Sequence, residues 1–464
     1  MSMTKENKMG TQPMLRLIVS MSLPAMFSML VQSLYNIVDS MFVARLGEEA
    51  LTAVSLAFPV QTLLIAVAVG TGVGINSLVA RRLGEGRREE ADHAATHGVL
   101  LALASWLVFA ILGLCATRAF FQAFSDNPQV VDMGCQYLYV VTIASLGVFM
   151  EINLEKTLQA TGNMIYPMVF QLIGAVANII LDPILIFGLL GMPRMGVLGA
   201  AVATVIGQLL AMAYSLYITL RKEHEVKISF QHFRLRGRTI RDIYAVGLPS
   251  IVMQAIGSVL NMGLNAILIA FSEAAVSVMG VYYKLQSFVF MPVFGLTQGV
   301  MPIMGFNFGA RNKARMLSAL RYGCFIALGI MAAGTLLFLL LPRQLLMMFN
   351  ASAQMLEIGI PALRIISICF IPAALGILFS TTFQAVGKGN YSLIISLLRQ
   401  LIVILPVAYL MSRMGLVYFW YAFPIAEGVS LLASIGLYGR LYRTHIRDLR
   451  PAEGAMATDS EASV

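Results

Sequence analysis

Two aspartates interrupt long apolar stretches of this chain, Asp39 and Asp182. A carboxylate kept where its neighbours are hydrocarbon is a functional candidate by default. Around them stand further oxygen-bearing side chains at helical spacing. Tyr35 and Asn36 precede Asp39 by four and three residues, Asn178 precedes Asp182 by four, and Thr204 follows in the next apolar run. On helices such spacings put each group on one face. Oxygen-only donors suit a hard cation such as Na⁺. Two close carboxyls in a low dielectric suit a shared proton, because burial and like charge both favour the protonated form. Pro183 adds a backbone consequence, since its ring removes one helix hydrogen bond and pushes the Ile179 carbonyl outward as a further ligand. The competing structural reading is two local hydrogen bonds, with Asp39 on a neighbouring hydroxyl and Asp182 capping the Pro183 kink. An uncompensated Asp at span depth costs ~2.5–3.5 kcal/mol, which weighs toward function.

The elements that must position these groups follow from composition. The 464 residues are 58% hydrophobic and 12% charged, with a mean hydropathy of +0.80. That excludes an ordinary soluble domain and gives a polytopic membrane protein. Runs able to cross a ~30 Å hydrocarbon core lie near residues 17–44, 52–80, 96–121, 134–158, 164–190 and 196–220, then 243–271, 276–306, 318–341, 356–386, 391–412 and 417–439. The expected fold is therefore all-α with twelve spans. Of the 32 Lys and Arg, 24 fall at the N-terminus, in the loops after even-numbered spans and at the C-terminus. By the positive-inside rule both termini face the cytoplasm. Asp39 then lies ~8 Å, and Asp182 ~12 Å, from the outer ends of spans 1 and 5, with Thr204 about two turns below the outer surface in span 6. No cleavable signal is apparent, because the first apolar run is too long and lacks a small-residue cleavage site.

The spans repeat. Leu23-Pro24 matches Leu248-Pro249, Asn36 matches Asn261, Gln61 matches Gln286, Gly84 matches Gly309, Gln159-Ala160 matches Gln384-Ala385 and Gly162 matches Gly387, all 225 positions apart. Pro, Gly, Asn and Gln recurring at one offset argue for a duplicated unit. Six spans per copy make the copies enter the membrane the same way up, as two six-helix bundles related by a pseudo-twofold axis along the membrane normal. The expected organisation is an N-terminal lobe (1–220), a basic linker (221–242), a C-terminal lobe (243–447) and a disordered cytoplasmic tail (448–464). The copies differ in chemistry, for Asp39 and Asp182 fall on Leu264 and Val407.

Leu23-Pro24, Asn36-Ile-Val-Asp39, Gln159-Ala-x-Gly162-Asn163, Asn178-Ile-Ile-Leu-Asp182-Pro183 followed by Gly199-Ala-Ala-Val-Ala-Thr204, and Gly305-Phe-Asn-Phe-Gly309-Ala-Arg-Asn312 together resemble the multidrug and toxic compound extrusion (MATE) family, in its MepA-like bacterial branch. The resemblance spans nearly the whole chain. It implies a twelve-helix antiporter exchanging H⁺ or Na⁺ for organic, often cationic, drugs. It places the first-lobe cation site at Asp39, Asn178, Asp182 and Thr204, with Tyr137 on span 4 as a neighbour. Some family members carry an acid in span 7, where this chain has Gln254, so a coupling site in the second lobe is not expected.

Other signals have plainer readings. Gly70-x-Gly72-x-Gly74 lies inside an apolar span and reads as close helix packing rather than a nucleotide loop. His93 and His97 have ligand spacing but no third partner nearby. Glu151, Glu155 and Lys156 near the inner end of span 4 read as a local Glu/Lys pair, with a cytoplasmic gate as the alternative. Lys284, Arg364, Arg399 and Glu427 lie within spans of the second copy, where long side chains reach water or lipid phosphate, or Arg399 pairs with Glu427. The four cysteines lie in apolar segments without metal-ligand spacing and read as core residues. The linker from Arg221 to Arg241 carries seven Lys/Arg and reads as a solvated segment attracted to anionic lipid, with a regulatory contact as the alternative.

The sequence thus points to a secondary active multidrug efflux antiporter working by alternating access as a monomer, with no enzymatic activity, no cofactor and no nucleic-acid partner. Membrane lipid and small organic substrates are its partners. Polar or adaptable side chains at suitable depth, Gln32, Gln61, Met150, Gln254 and Tyr283, are the candidate substrate contacts. A lipid-linked precursor or polysaccharide flippase is the transport alternative, and a receptor or scaffold the non-transport one.

Overall fold

A computed structural model of the chain describes residues 7–231 and 233–449; the expected tail from residue 450 onward lies outside them. Among the described residues the structure is helical and contains no strand. Ten helices are long and apolar enough to cross a membrane, and twelve result when each of two bent pairs counts as one span. Spans 1 to 3 are Met14–Ala44, Glu48–Gly84 and Arg88–Phe124. Span 4 is Pro128–Ile143 followed by Leu146–Ala160, bent by 43°. Spans 5 to 9 are Ile165–Phe187, Val197–Arg221, Gly237–Leu268, Glu273–Gly309 and Lys313–Leu340. Span 10 is Ala353–Ser367 followed by Phe370–Ala385, bent by 48°. Spans 11 and 12 are Gly389–Ser412 and Leu416–Ile446. The two bends occupy equivalent places in the repeat, and each bent span is followed by a left-handed glycine, Gly162 at φ 87° and Gly387 at φ 82°.

Local chemistry sets several boundaries. Asn127 caps span 4 by accepting from Gln129 N at 2.9 Å, with Pro128 at the first helical position, where its missing N–H costs nothing. Span 5 runs unbroken through Pro183 and stops at Gly188, whose φ of 73° ends the helix. Apolar side chains cover much of the outside. Only 28% of the most hydrophobic window of span 3 is buried within the protein, as expected where lipid is the solvent.

The chain forms two compact units. One contains residues 27–79 and 88–251; the other contains 7–26, 80–87 and 252–449. These bounds describe packing, whereas the lobes drawn from the repeat describe sequence, and the two differ at spans 1, 2 and 7. Glycines explain how. In the first unit Gly70 packs directly on Ile251 of span 7. In the second, Gly295 packs on Met26 of span 1, and a Cβ there would stand 2.5 Å from Met26 Cα. Gly295 and Met26 are the repeat equivalents of Gly70 and Ile251. Within the second unit Gly84 abuts the Phe306 carbonyl and Gly309 abuts the Arg81 carbonyl, again a pair exchanged by the 225-residue offset. Each contact admits only hydrogen at Cα.

A candidate cation site in the first unit

Span 1 brings Tyr35 and Asp39 to the site on adjacent turns, and span 5 brings Asn178 and Asp182 likewise. Span 6 supplies Thr204, and the first segment of span 4 supplies Tyr137. Asp182 is fully buried, Asn178 and Tyr137 nearly so, and Asp39 is half-buried. A packed apolar cluster that includes Val43, Ala57, Tyr137, Ile186 and Ala200 fixes the helices around them. All these residues belong to the same compact unit.

The Asp39 and Asp182 carboxyls approach within hydrogen-bonding reach of one another. A carboxyl donates only when it carries a proton, so this close approach is suited to holding one proton between two acids. Asn178 joins the pair to span 6. With its amide nitrogen toward Asp182 it donates to Oδ2 at 2.8 Å, while its oxygen accepts from Thr204 N and Oγ1, each at 3.1 Å. The opposite orientation keeps only a 3.1 Å bond from Asn178 Nδ2 to Thr204 Oγ1. Tyr35 and Thr204 meet through their hydroxyls. Two buried acceptors, Asp39 Oδ1 and Asp182 Oδ1, face no donor among the described residues.

This arrangement can hold a proton between the carboxyls or gather a cation among oxygens. A recess of about 230 Å³ reaches Asp39, lined also by Ser40, Val43, Leu51, Val54, Ser55 and Phe58. It places open space beside one of the two carboxyls.

Of the residues singled out in the sequence, Tyr35, Asp39, Asn178, Asp182 and Thr204 come together, with Tyr137 within reach of both carboxylates' fields. Asn36 is exposed; its carbonyl accepts from Ser40 Oγ at 2.8 Å. Gln61, expected as a substrate contact, donates to Tyr137 OH at 2.8 Å and so buttresses this site. Gln32 is half-buried and Met150 buried in the same unit, whereas Gln254 is exposed and Tyr283 half-buried in the other. Sequence reasoning did not single out Ser40, Ser55 or Phe58 of the recess. Their nearness to Asp39 depends on how spans 1 and 2 turn about their axes.

The weaker signals also resolve. His97 Nδ1 donates to the His93 carbonyl at 2.7 Å within span 3, and Nε2 accepts from Arg236 N at 2.9 Å, so the oriented ring ties the linker to span 3. Asp92 Oδ1 accepts from Lys227 N at 2.7 Å in the same strap. Arg399 Nη1 lies 3.3 Å from Glu427 Oε1, beside a π-helical stretch, Leu398–Val403, in span 11. Lys284 lies over the Phe349 ring, and Arg364 donates to the Leu339 carbonyl. All four cysteines are free thiols.

The MatE family model matches this chain twice, over residues 24–184 and 249–410. The two matches start 225 positions apart, the offset of the internal repeat. The chain is 28% identical over 409 residues to the FAD transporter of Shewanella oneidensis, covering 86% of this chain and 88% of that protein. It is 26% identical over 416 residues to the multidrug export protein MepA of Staphylococcus saprophyticus, covering 89% of this chain and 91% of that one. Its fold is similar to the solved outward-facing conformation of a multidrug resistance MATE family transporter of the MOP superfamily, with a TM-score of 0.90, 29% identity, and coverage of 96% of this chain and 100% of that one.

Proposed function

Because the chain belongs to the MatE family, and is therefore a multi-pass membrane transporter rather than an enzyme, we propose that it is a proton-coupled antiporter that exports organic, often cationic, compounds. The observation that carries this reading is the Asp39–Asp182 contact, closed over by Asn178 and Thr204. A proton entering from outside bridges the two carboxyls, cuts their charge from two negatives to one, and lets the two helices close on one another. Its loss leaves two like charges in a low dielectric and drives them apart. Substrate and proton that favour opposite conformations of span 1 compete through that difference, which is the thermodynamic requirement for exchange.

Alternating access by a monomer in the bacterial plasma membrane, with cytoplasmic termini, completes the proposal. Gln32, Gln61, Met150, Gln254 and Tyr283 remain the proposed substrate contacts. The oxygen-only donor set keeps Na⁺ as the second coupling ion to test. One relative is named as an FAD transporter and another as a multidrug exporter, so the substrate screen includes both FAD and organic cations. Reconstituted protein is loaded with each compound, and export is followed under separately imposed pH and Na⁺ gradients. Export driven by an inward proton gradient is the expected result. Export indifferent to both gradients would end the antiport reading.

A further inference from the structure

Span 4 carries another pair of acids one turn apart, Glu151 and Glu155, on the helix face that also bears Gly147. That face looks at spans 5 and 6. Gly147 abuts the backbone of Gln208 and Leu209, and Gln171 Nε2 donates to Glu155 Oε2 at 2.8 Å. Glu155 is fully occupied, because Lys156 Nζ and Gln159 Nε2 both donate to its Oε1 at 2.8 Å. Lys156 also donates to Gln159 Oε1 at 3.0 Å. Glu155 and Lys156 therefore cancel in charge.

Glu151 is left over. It is 8% exposed, and its buried Oε1 meets no donor among the described residues. Glu155 and Lys156, on its own helix, are the charged groups whose fields reach it, and spans 3, 5 and 6 bring no third. An uncompensated carboxylate in such a place costs several kcal/mol, and a proton removes that cost. Gln171 Oε1, on the span 5 side chain that bonds Glu155 one turn from Glu151, is likewise buried and without a donor among the described residues.

Span 5 links this place to the cation site. Gln171, Asn178 and Asp182 follow the i, i+7, i+11 spacing of a single helix face. Gln171 sits about 16 Å along the axis from Asp182, toward the end of the span that the Lys/Arg distribution assigns to the cytoplasm. Between them Gly174 and Gly207 hold spans 5 and 6 together, such that a Cβ on Gly207 would stand 2.7 Å from the Gly174 carbonyl oxygen.

We propose that Glu151 is a second proton-binding carboxyl, which takes up the proton given off by the Asp39–Asp182 pair and releases it to the cytoplasmic side. The inference rests on the proton-antiport reading above. Opening of spans 5 and 6 at Gly174 and Gly207 admits the proton to Glu151, whose carboxylate becomes a neutral acid until the inner side accepts the proton.

The test uses full-length protein in liposomes with ethidium as the transported probe. Glu151→Gln is expected to lower export driven by a pH gradient at least tenfold. It is expected to leave ethidium–ethidium exchange, which moves no net proton, within twofold of the parent. Glu151→Asp, which retains a carboxyl, is expected to restore part of the export. Infrared difference spectra on acidification are expected to lose a protonated-carboxyl band in Glu151→Gln that persists in Asp39→Asn. Parental export together with an unchanged infrared spectrum would overturn the proposal while leaving antiport intact. Loss of exchange as well as export would assign Glu151 a structural role and also overturn it. Failure of the parent protein to respond to pH would instead remove the antiport reading beneath it.

Discussion

Asn178 bridges Asp182 and Thr204, reaching the carboxylate at 2.8 Å and the Thr204 backbone and hydroxyl at 3.1 Å. One amide thus ties the acid of span 5 to span 6. Replacing it with Ala leaves a buried carboxylate oxygen without its donor, and a hydrogen bond to a charged group contributes ~1.5–3 kcal/mol. Asn178→Ala should therefore shift the ion dependence of export by about tenfold or more in concentration, since 1.4 kcal/mol is a factor of ten. Export rate against external pH, at saturating substrate, reads that shift.

The two acids should be unequal to any neutral replacement. Asp39→Asn and Asp182→Asn each keep the shape of the side chain and remove the ability to cycle between charged and neutral forms. Export should fall to the level of empty liposomes, while the purified variants keep the parental elution profile and thermal melting. Parental export rates from both would contradict the coupling role.

Much of this site was legible in the sequence because polar groups are rare in spans and each one carries information. Asp39, Asn178, Asp182 and Thr204 could be placed at a common depth by counting residues from the span ends, and the repeat could be read from Pro, Gly, Asn and Gln. The Gln61–Tyr137 bond was not legible, since it depends on the rotation of span 2 against the first segment of span 4. Nor was the bend of span 4, where the sequence around Ala144 contains no Pro, while span 10 carries Pro361 and Pro372 on either side of its bend at Ile368. The packing of residues 7–26 with the second copy escaped for a different reason. Gly295 and Gly299 announce a close approach but not the helix that makes it.

Glycine contacts give a stability prediction. At Gly309 an added methyl meets the Arg81 carbonyl, a backbone atom that cannot swing aside. Gly309→Ala should destabilise the protein by ~1–3 kcal/mol, the usual cost of overpacking, and Gly84→Ala by a similar amount. Gly329 has open space at the same position, so Gly329→Ala serves as the control. Thermal melting in detergent, followed by loss of monodisperse protein, measures all three.

Arg399 and Glu427 invite a double-mutant cycle. The Glu427 side chain is 10% exposed and that of Arg399 29%, so removing the arginine alone strands a mostly buried carboxylate. Arg399→Gln should cost ~3–5 kcal/mol by the usual penalty for breaking a buried pair, while Arg399→Gln combined with Glu427→Gln should recover most of it. A loss in the double variant equal to the sum of the losses from Arg399→Gln and Glu427→Gln alone would mean that the pair is not coupled. Urea-dependent unfolding in lipid nanodiscs provides the free energies.

Residues 7–26 and 80–87 are encoded in the first copy of the repeat but pack with the second, and the start of span 7 is encoded in the second but packs with the first. A gene cut at the linker would yield two polypeptides, neither holding all the pieces of a unit. Each would need the other in order to fold, and co-expressed halves should reassemble while halves made alone should be degraded. Fusion of two ancestral copies into one polypeptide would have turned an encounter between strangers into a single folding event.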